Sequence, residues 1–255
     1  GPWTVDDESL MNEWRVFGDA GRPTLEQMAY DEQLAREALP TVRFFLWQPP
    51  AISLGWKQSP PEWLRAPAWQ ATKLAWVERP SGGGIAFHGS DVSIAIVIPR
   101  ILDQSLAALM RAVCDSAVKL CGRYGIHAEG VLDVKGQERV TYCLTEVSSY
   151  AVLIDGRKIA GFSLRRYPKS WLIQGSLLVQ PLPDALRQGL PQPLQQELHT
   201  RALSLSEVLG EPMSEHGVAS KWSEHWAAWW NGSSRATNHW SLATNTNALF
   251  PDAPH

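Results

Sequence analysis

The sequence predicts an α+β fold: a central mixed or antiparallel sheet with flanking helices. Strand-like runs follow one another, their connections are mostly of hairpin length, and the helical segments fall where they can be laid on one side of the sheet. No Gly-x-Gly-x-x-Gly follows a strand, which sets a dinucleotide-binding fold aside.

Each element has its own signal. Thr24 to Ala38 reads as a helix, with Thr24 as cap, apolar residues at Leu25, Met28, Ala29 and Leu34, and Pro40 as its stop. Thr41 to Trp47 is rich in β-formers and reads as a strand, and Ile52 to Gly55 as another after the Pro-Pro turn. Leu74 to Arg79 and Val92 to Ile98 follow, the second apolar enough for a sheet interior. Ser105 to Tyr124 is a long helix with Leu106, Leu109, Val113, Ala117, Leu120 and Cys121 on one face. Asp155-Gly156 marks a hairpin turn between the strands Ala151 to Ile154 and Lys158 to Leu164, and Trp171 to Val179 comes next. Leu194 to Leu203 and Ser206 to Leu209 read as helices. So does Lys221 to Trp230, whose Trp222, Trp226, Trp229 and Trp230 are expected to pack on the body of the domain. Residues 3–230 form one domain on this reading, with Gly1-Pro2 left aside as a processing scar. The Asn-, Ser-, Thr- and Ala-rich stretch 231–255 is expected to be a flexible tail.

Composition narrows the function. At 44% hydrophobic, the 255 residues can bury a sizeable core. A net charge of -3 lacks the basic excess of a nucleic-acid binder. No apolar run approaches the length of a membrane span, and no signal-peptide pattern opens the chain, so neither a nucleic acid nor a membrane is an expected partner. Cys114, Cys121 and Cys143 are too few for a disulfide scaffold and lack metal-ligand spacing; no metal is expected, and the expected location is the cytoplasm. Cys114 and Cys121 lie seven apart on one helix, as core residues do.

Three segments could carry chemistry. The first is Arg79-Pro-Ser-Gly-Gly-Gly-Ile-Ala-Phe-His88, where Ser81, Gly82, Gly83 and Gly84 form a loop whose backbone can approach a ligand and whose amides can hold an oxyanion, phosphate or carbonyl. A flexible turn explains the glycines equally well. His88 can donate to a substrate carbonyl or be a satisfied structural residue. In the second, Asp155-Gly-Arg-Lys-Ile-Ala-Gly161, Lys158 just after the turn is either a desolvated base or a solvated strand lysine. The third is Cys143, at the end of the loop Lys135 to Tyr142 and immediately before strand-like sequence. It is a nucleophile if a cation is near and a buried thiol otherwise. Antiparallel pairing across the 15 residues that separate them would bring Cys143 and Lys158 together.

In this order the segments resemble the biotin/lipoate ligase and octanoyltransferase family. The Arg79–His88 stretch looks like its arginine-glycine acyl-binding motif, Gly156-Arg-Lys-Ile-Ala-Gly161 like its lysine motif, and Gln174-Gly175-Ser-Leu-Leu178 like the strand motif that follows. Arg43 to Gln58 and the Met28-to-Asp31 helix match too, so the likeness covers roughly residues 15 to 210. Cys143 stands where the single-domain, cysteine-type octanoyltransferases carry their nucleophile. The resemblance implies a catalytic acyltransferase domain with Cys143 and Lys158 catalytic, and Arg79, Ser81, Gly82, Gly83, Gly84, His88, Gly161, Gln174 and Gly175 binding substrate. It implies ping-pong transfer of an octanoyl group, without a cofactor, from an acyl-carrier protein to a lipoyl domain or glycine cleavage H protein. Arg157, Lys158, Arg165, Arg166 and Lys169 would offer a docking face to these acidic carriers.

The chain departs from the family's pattern at Gln174, where many relatives have His, and at Phe162-Ser163-Leu164, where Phe162 would narrow the acyl pocket; Gly89-Ser90-Asp91 differs from the ligase version after the histidine. Alternatives are an ATP- and Mg-dependent lipoate–protein ligase, a lipoyl amidotransferase between lipoyl domains, and an inactive carrier-binding module.

Overall fold

A computed structural model of the chain describes residues 13–19, 22–102, 105–132, 141–232 and 241–243. Among the described residues, eleven strands form two sheets. The larger contains β1 (Glu13–Asp19), β2 (Thr41–Phe45), β6 (Asp91–Pro99), β7 (Glu129–Val131), β8 (Ala151–Ile154), β9 (Arg157–Arg166), β10 (Ser170–Leu178) and β11 (Ser241–Ala243), in the order β11-β1-β2-β6-β10-β9-β8-β7. The smaller is β4-β3-β5, from β3 (Ala51–Leu54), β4 (Ala75–Glu78) and β5 (Ala86–His88). Within the large sheet β1 runs parallel to β2 and β11, and the other pairs are antiparallel, so the sheet is mixed.

The strand β6 occupies the interior of the sheet because all nine of its residues are buried, and Val92, Ile94, Ile96 and Ile98 face one core while Ala95 and Val97 face another. Asp155 and Gly156 both take positive φ, 49° and 74°, as a two-residue hairpin between β8 and β9 requires. The helix α1 (Thr24–Glu37) begins one residue earlier than expected: Pro23 is the N-cap residue, and no side chain caps the end. Its last carbonyls are met by Ala38, which is left-handed at φ 56°.

Helices do not keep to one side. The long helix α3 (Leu106–Arg123) and α7 (Glu215–Gly232) cover one face through Leu109, Val113, Cys114, Ala117, Cys121, Val218 and Trp222. The helix α1 and the small sheet cover the other, and the small sheet carries its own core with α2 (Pro67–Thr72), α4 (Asp184–Arg187) and α5 (Gln192–Arg201). A further short helix, α6 (Leu205–Leu209), is closed by a capping box between Ser204 and Glu207. The one-sided expectation failed because a three-stranded sheet has no signature distinct from that of the sheet it packs on.

Cys114 and Cys121 are buried in the α3 core, where burial pushes each thiol up to about 12. Trp222 and Trp226 also pack inward, Trp222 donating its indole N–H to Ser116 Oγ at 3.0 Å. The side chains of Trp229 and Trp230 lie outside the described residues, as do residues 133–140 of the loop before Cys143 and most of the expected tail. Of that tail, α7 reaches Gly232 and Ser241–Ala243 pairs with β1. No helix among the described residues is long and apolar enough to cross a membrane.

Candidate active site

A cavity of about 250 Å³ lies between the large sheet and the small one. Met28, Phe45, Trp47, Phe87 and Leu144 supply its apolar wall; Arg79, Cys143, Ser148 and Lys158 supply polar groups. Among the residues singled out in the sequence, Arg79, Gly83, Gly84, His88, Cys143, Lys158, Gly161, Gln174 and Gly175 all line it.

Cys143 arrives by a route different from the one expected. Strand β8 begins only at Ala151, and Cys143 sits in a loop that crosses the glycine segment. Ile85 bridges Tyr142 in parallel, with Ile85 N donating to Thr141 O at 2.7 Å and Cys143 N to Ile85 O at 2.8 Å. The Glu146 carboxylate folds this loop back by accepting from the amides of Thr141 and Tyr142. The half-buried Cys143 Sγ then lies 3.3 Å from Gly84 O, to which its thiol donates, and 3.8 Å from Arg79 Nη2. Loop-to-loop pairing, not pairing of strands, brings the thiol in.

Lys158 enters from β9. Val152 pairs with Ala160 but Leu153 pairs with Lys158, so Ile159 is an extra residue in the ladder. This bulge turns Lys158 to the same side as Gly161 and Ser163, toward the cavity. A Cβ on Gly161 would lie 3.0 Å from Lys158 Cε, so the glycine leaves the lysine its path. The ammonium donates to Glu146 O at 3.1 Å and Ser148 Oγ at 2.9 Å, both on the loop that carries Cys143. Burial lowers its pKa below the ordinary 10.5; Cys143 and Glu146 oppose that shift, and Arg79 adds to it. Lys158 is therefore the desolvated lysine, not the solvated one.

Arg79 organises the glycine loop. Its Nη2 donates to Gly82 O and Gly84 O at 2.7 Å each, and its Nη1 to Ser53 O at 3.1 Å and Ser53 Oγ at 3.2 Å. With the loop carbonyls turned toward Arg79, the amides of Gly82, Gly83 and Gly84 have no protein acceptor among the described residues. Gly83 has φ +93°, and a Cβ there would meet Arg79 Nη2 at 2.9 Å, so glycine is required on both counts. Gly55 was not singled out for this role, yet a Cβ on it would stand 1.9 Å from Gly83 O. Gly55→Ala is therefore expected to displace the glycine loop and lower turnover roughly 100-fold, the scale of a 1 Å misplacement, with the fold retained. Steady-state rates beside a denaturation midpoint check it.

The remaining expected residues are held in polar networks. Gln174 accepts from Ser81 N at 3.1 Å and donates to Asp31 Oδ2 at 2.6 Å, and Arg43 donates to Asp31 Oδ1 at 2.6 Å. Burial raises the Asp31 carboxyl, against the opposing pull of Arg43 and Gln174. The Ser81 hydroxyl lies 3.0 Å from Ser163 Oγ. His88 does not present a free donor to substrate: Nε2 is 2.7 Å from Ser53 Oγ and Nδ1 is 2.8 Å from Asp91 Oδ2. Gly175 makes room for Phe162, since a Cβ would lie 2.1 Å from Phe162 Cδ1. The Phe162 ring packs there against Trp222, in the core under α3 and α7, and Phe162 also lines the cavity, where it takes up part of the wall.

The expected basic face also divides. Lys158 is buried, Arg157 donates to His199 O and Ala202 O beside α5, and Arg165 stacks on Trp56 near the far end of β9. Eight residues of strand, about 26 Å, separate Arg157 from Arg165.

A thiol 3.8 Å from the buried Arg79 guanidinium, on the wall of an apolar cavity that buried Lys158 also lines, is an arrangement suited to acyl-group chemistry. The chain belongs to the family of the lipoyl protein ligase A/B catalytic domain, which matches residues 23–227. It is 30% identical over 220 residues to octanoyltransferase LipM of Symbiobacterium thermophilum, covering 79% of this chain and 80% of that one. The corresponding protein of Kyrpidia tusciae is 26% identical over 238 residues, covering 85% and 87%. Among solved structures, a lipoate-protein ligase A bound with ATP superposes with a TM-score of 0.67 at 17% identity, over 93% and 92% of the two chains. A bipartite lipoate protein ligase from Thermoplasma acidophilum does so with a TM-score of 0.63 at 16% identity, over 93% and 89%. The last two similarities are of fold. With the octanoyltransferase relatives, the chain is an enzyme of the acyltransferase kind.

Proposed function

We propose that the chain moves an octanoyl or lipoyl group from an acyl-carrier protein, through a thioester on Cys143, to a lysine of a lipoyl domain or of glycine cleavage H protein. The observation that carries this reading is the position of Cys143 Sγ, 3.8 Å from Arg79 Nη2 on the wall of an apolar cavity that Lys158 also lines. In the first half-reaction the Cys143 thiolate attacks the carbonyl of the donor thioester. The S–C bond of the carrier breaks, and the carrier thiolate departs and takes up a proton. In the second, the acceptor amine attacks the Cys143 thioester, an amide forms, and the sulfur leaves as thiolate. The amine's surplus proton passes to Lys158 in its neutral form. The amides of Gly82, Gly83 and Gly84 are free to receive the carbonyl oxygen as it gains charge.

The scheme needs no cofactor, which separates it from the ATP-dependent ligase. Transfer to a lipoyl domain is expected from octanoyl-carrier protein without ATP. Free octanoate or lipoate is expected to be transferred poorly, with or without ATP and Mg. ATP-dependent transfer from the free acid that survives Cys143→Ser would overturn the reading. Equal transfer from an already octanoylated lipoyl domain would change the donor and leave the thioester step in place.

A further inference from the structure

Arg79 is buried and makes no ion pair with a carboxylate among the described residues. A buried guanidinium without an anion is costly, and carbonyl oxygens compensate only part of that cost. Among the described residues, the Cys143 sulfur is the group whose charge offsets the desolvation of Arg79. Behind Arg79 stands a chain of side chains the transfer scheme does not use. Arg79 Nη1 donates to Ser53 Oγ at 3.2 Å, Ser53 Oγ lies 2.7 Å from His88 Nε2, and His88 Nδ1 lies 2.8 Å from Asp91 Oδ2. All four residues are buried.

With His88 neutral, the donors and acceptors run in one direction along this chain. Asp91 also accepts from Gly89 N at 2.9 Å and Ser93 Oγ at 3.1 Å. Burial opposes its ionisation, but His88, Gly89 and Ser93 outweigh burial and keep the carboxyl below the usual carboxylate range. An ionised Asp91 takes the hydrogen of His88 Nδ1, Nε2 then accepts from the Ser53 hydroxyl, and the Ser53 oxygen is left with lone pairs toward Arg79. Trp47 clamps the imidazole by stacking at 4.2 Å and 12°, and its own N–H donates to Ser93 at 2.9 Å.

We propose that Ser53, His88 and Asp91 are positioning residues that aim the Arg79 guanidinium at Cys143, and that Arg79 is the counter-charge of the attacking thiolate. Lys158, hydrogen-bonded to Glu146 and Ser148, is left for the proton of the incoming amine. The inference rests on reading Cys143 as the nucleophile.

The test needs no acyl donor. Alkylation of Cys143 by iodoacetamide at one neutral pH is followed by peptide mass spectrometry, with the buried Cys114 and Cys121 reporting in the same spectrum whether a variant has stayed folded. Ser53→Ala and Asp91→Asn are each expected to slow labelling of Cys143 roughly tenfold, the scale of one hydrogen bond to a charged group. Arg79→Gln is expected to slow it at least as much, and Ser53→Thr, which keeps the hydroxyl, to restore the wild-type rate. Should Ser53→Ala label all three cysteines and so prove unfolded, the isosteric Asp91→Asn decides. Wild-type labelling rates in the folded relay variants overturn the proposal, as does equal slowing by Ser53→Ala and Ser53→Thr. The expected slowing in the relay variants, found in a protein that transfers nothing from octanoyl-carrier protein, instead leaves the relay standing and removes the proposed donor.

Discussion

Lys158→Met is expected to lower acyl transfer by about 100- to 10,000-fold, the range of a lost general acid–base group. Methionine keeps the length and apolar stem but can neither take the amine's proton nor donate to Glu146 O and Ser148 Oγ. The pH dependence of that loss has a defined sign. Burial lowers the pKa of Lys158, so the neutral amine forms at lower pH than in a solvated lysine, and the limb of the rate profile that rises with pH lies below 10.5. That limb is expected to vanish in the Met variant. Stability follows the same linkage. A lysine whose folded pKa is lowered binds fewer protons folded than unfolded, so the wild type gains stability as pH rises from the folded value toward 10.5. Methionine removes this gain, which denaturation midpoints of the two proteins across that window would register. A Met variant with near-wild-type turnover would rule out Lys158 as the base.

Cys143→Ala is expected to abolish transfer, a loss of at least about 1,000-fold, because Cys143 is the one thiol on the cavity wall among the described residues. Cys114 and Cys121 cannot substitute, being buried in the α3 core with thiols pushed up to about 12. The fold should be indifferent to the change. Cys143 is half-buried, and its side chain contributes one weak thiol hydrogen bond to Gly84 O. Single-turnover assays that separate donor cleavage from acceptor modification locate the loss: both half-reactions should fail in Cys143→Ala. In Lys158→Met the second should suffer more than the first, since Arg79 remains beside the sulfur.

Much of this site was legible in the sequence, and the parts that were not share a cause. Asp155-Gly156 announced its hairpin because a two-residue turn with two positive φ angles admits few other residues. The glycine triplet announced a special loop for the same backbone reason. The partners of these segments could not be read, because they are set by long-range pairing. Nothing local shows that Ile85 bridges Tyr142, which brings Cys143 to the loop, or that Gly55 must lack a side chain to clear Gly83 O. The bulge at Ile159 was equally hidden. Strict alternation on β9 would have put Ile159, not Lys158, on the side of Gly161, and the extra residue reverses that. His88 was singled out with two readings open, a donor to substrate or a satisfied structural residue; Ser53 and Asp91 reach it from separate strands, and only the fold shows that both ring nitrogens are taken. The basic residues after Gly156 looked like a face because they are close in sequence, yet a ten-residue strand carries them apart.

The covalent intermediate on Cys143 is the claim on which the rest depends, and intact-mass spectrometry of the protein mixed with octanoyl-carrier protein, in the absence of any acceptor, tests it most directly. A mass increase of one octanoyl group is predicted, mapped to the peptide containing Cys143, released by hydroxylamine as a thioester is, and discharged when a lipoyl domain is added. An unmodified enzyme that nevertheless octanoylates the lipoyl domain, or an adduct that persists in Cys143→Ala, would contradict it.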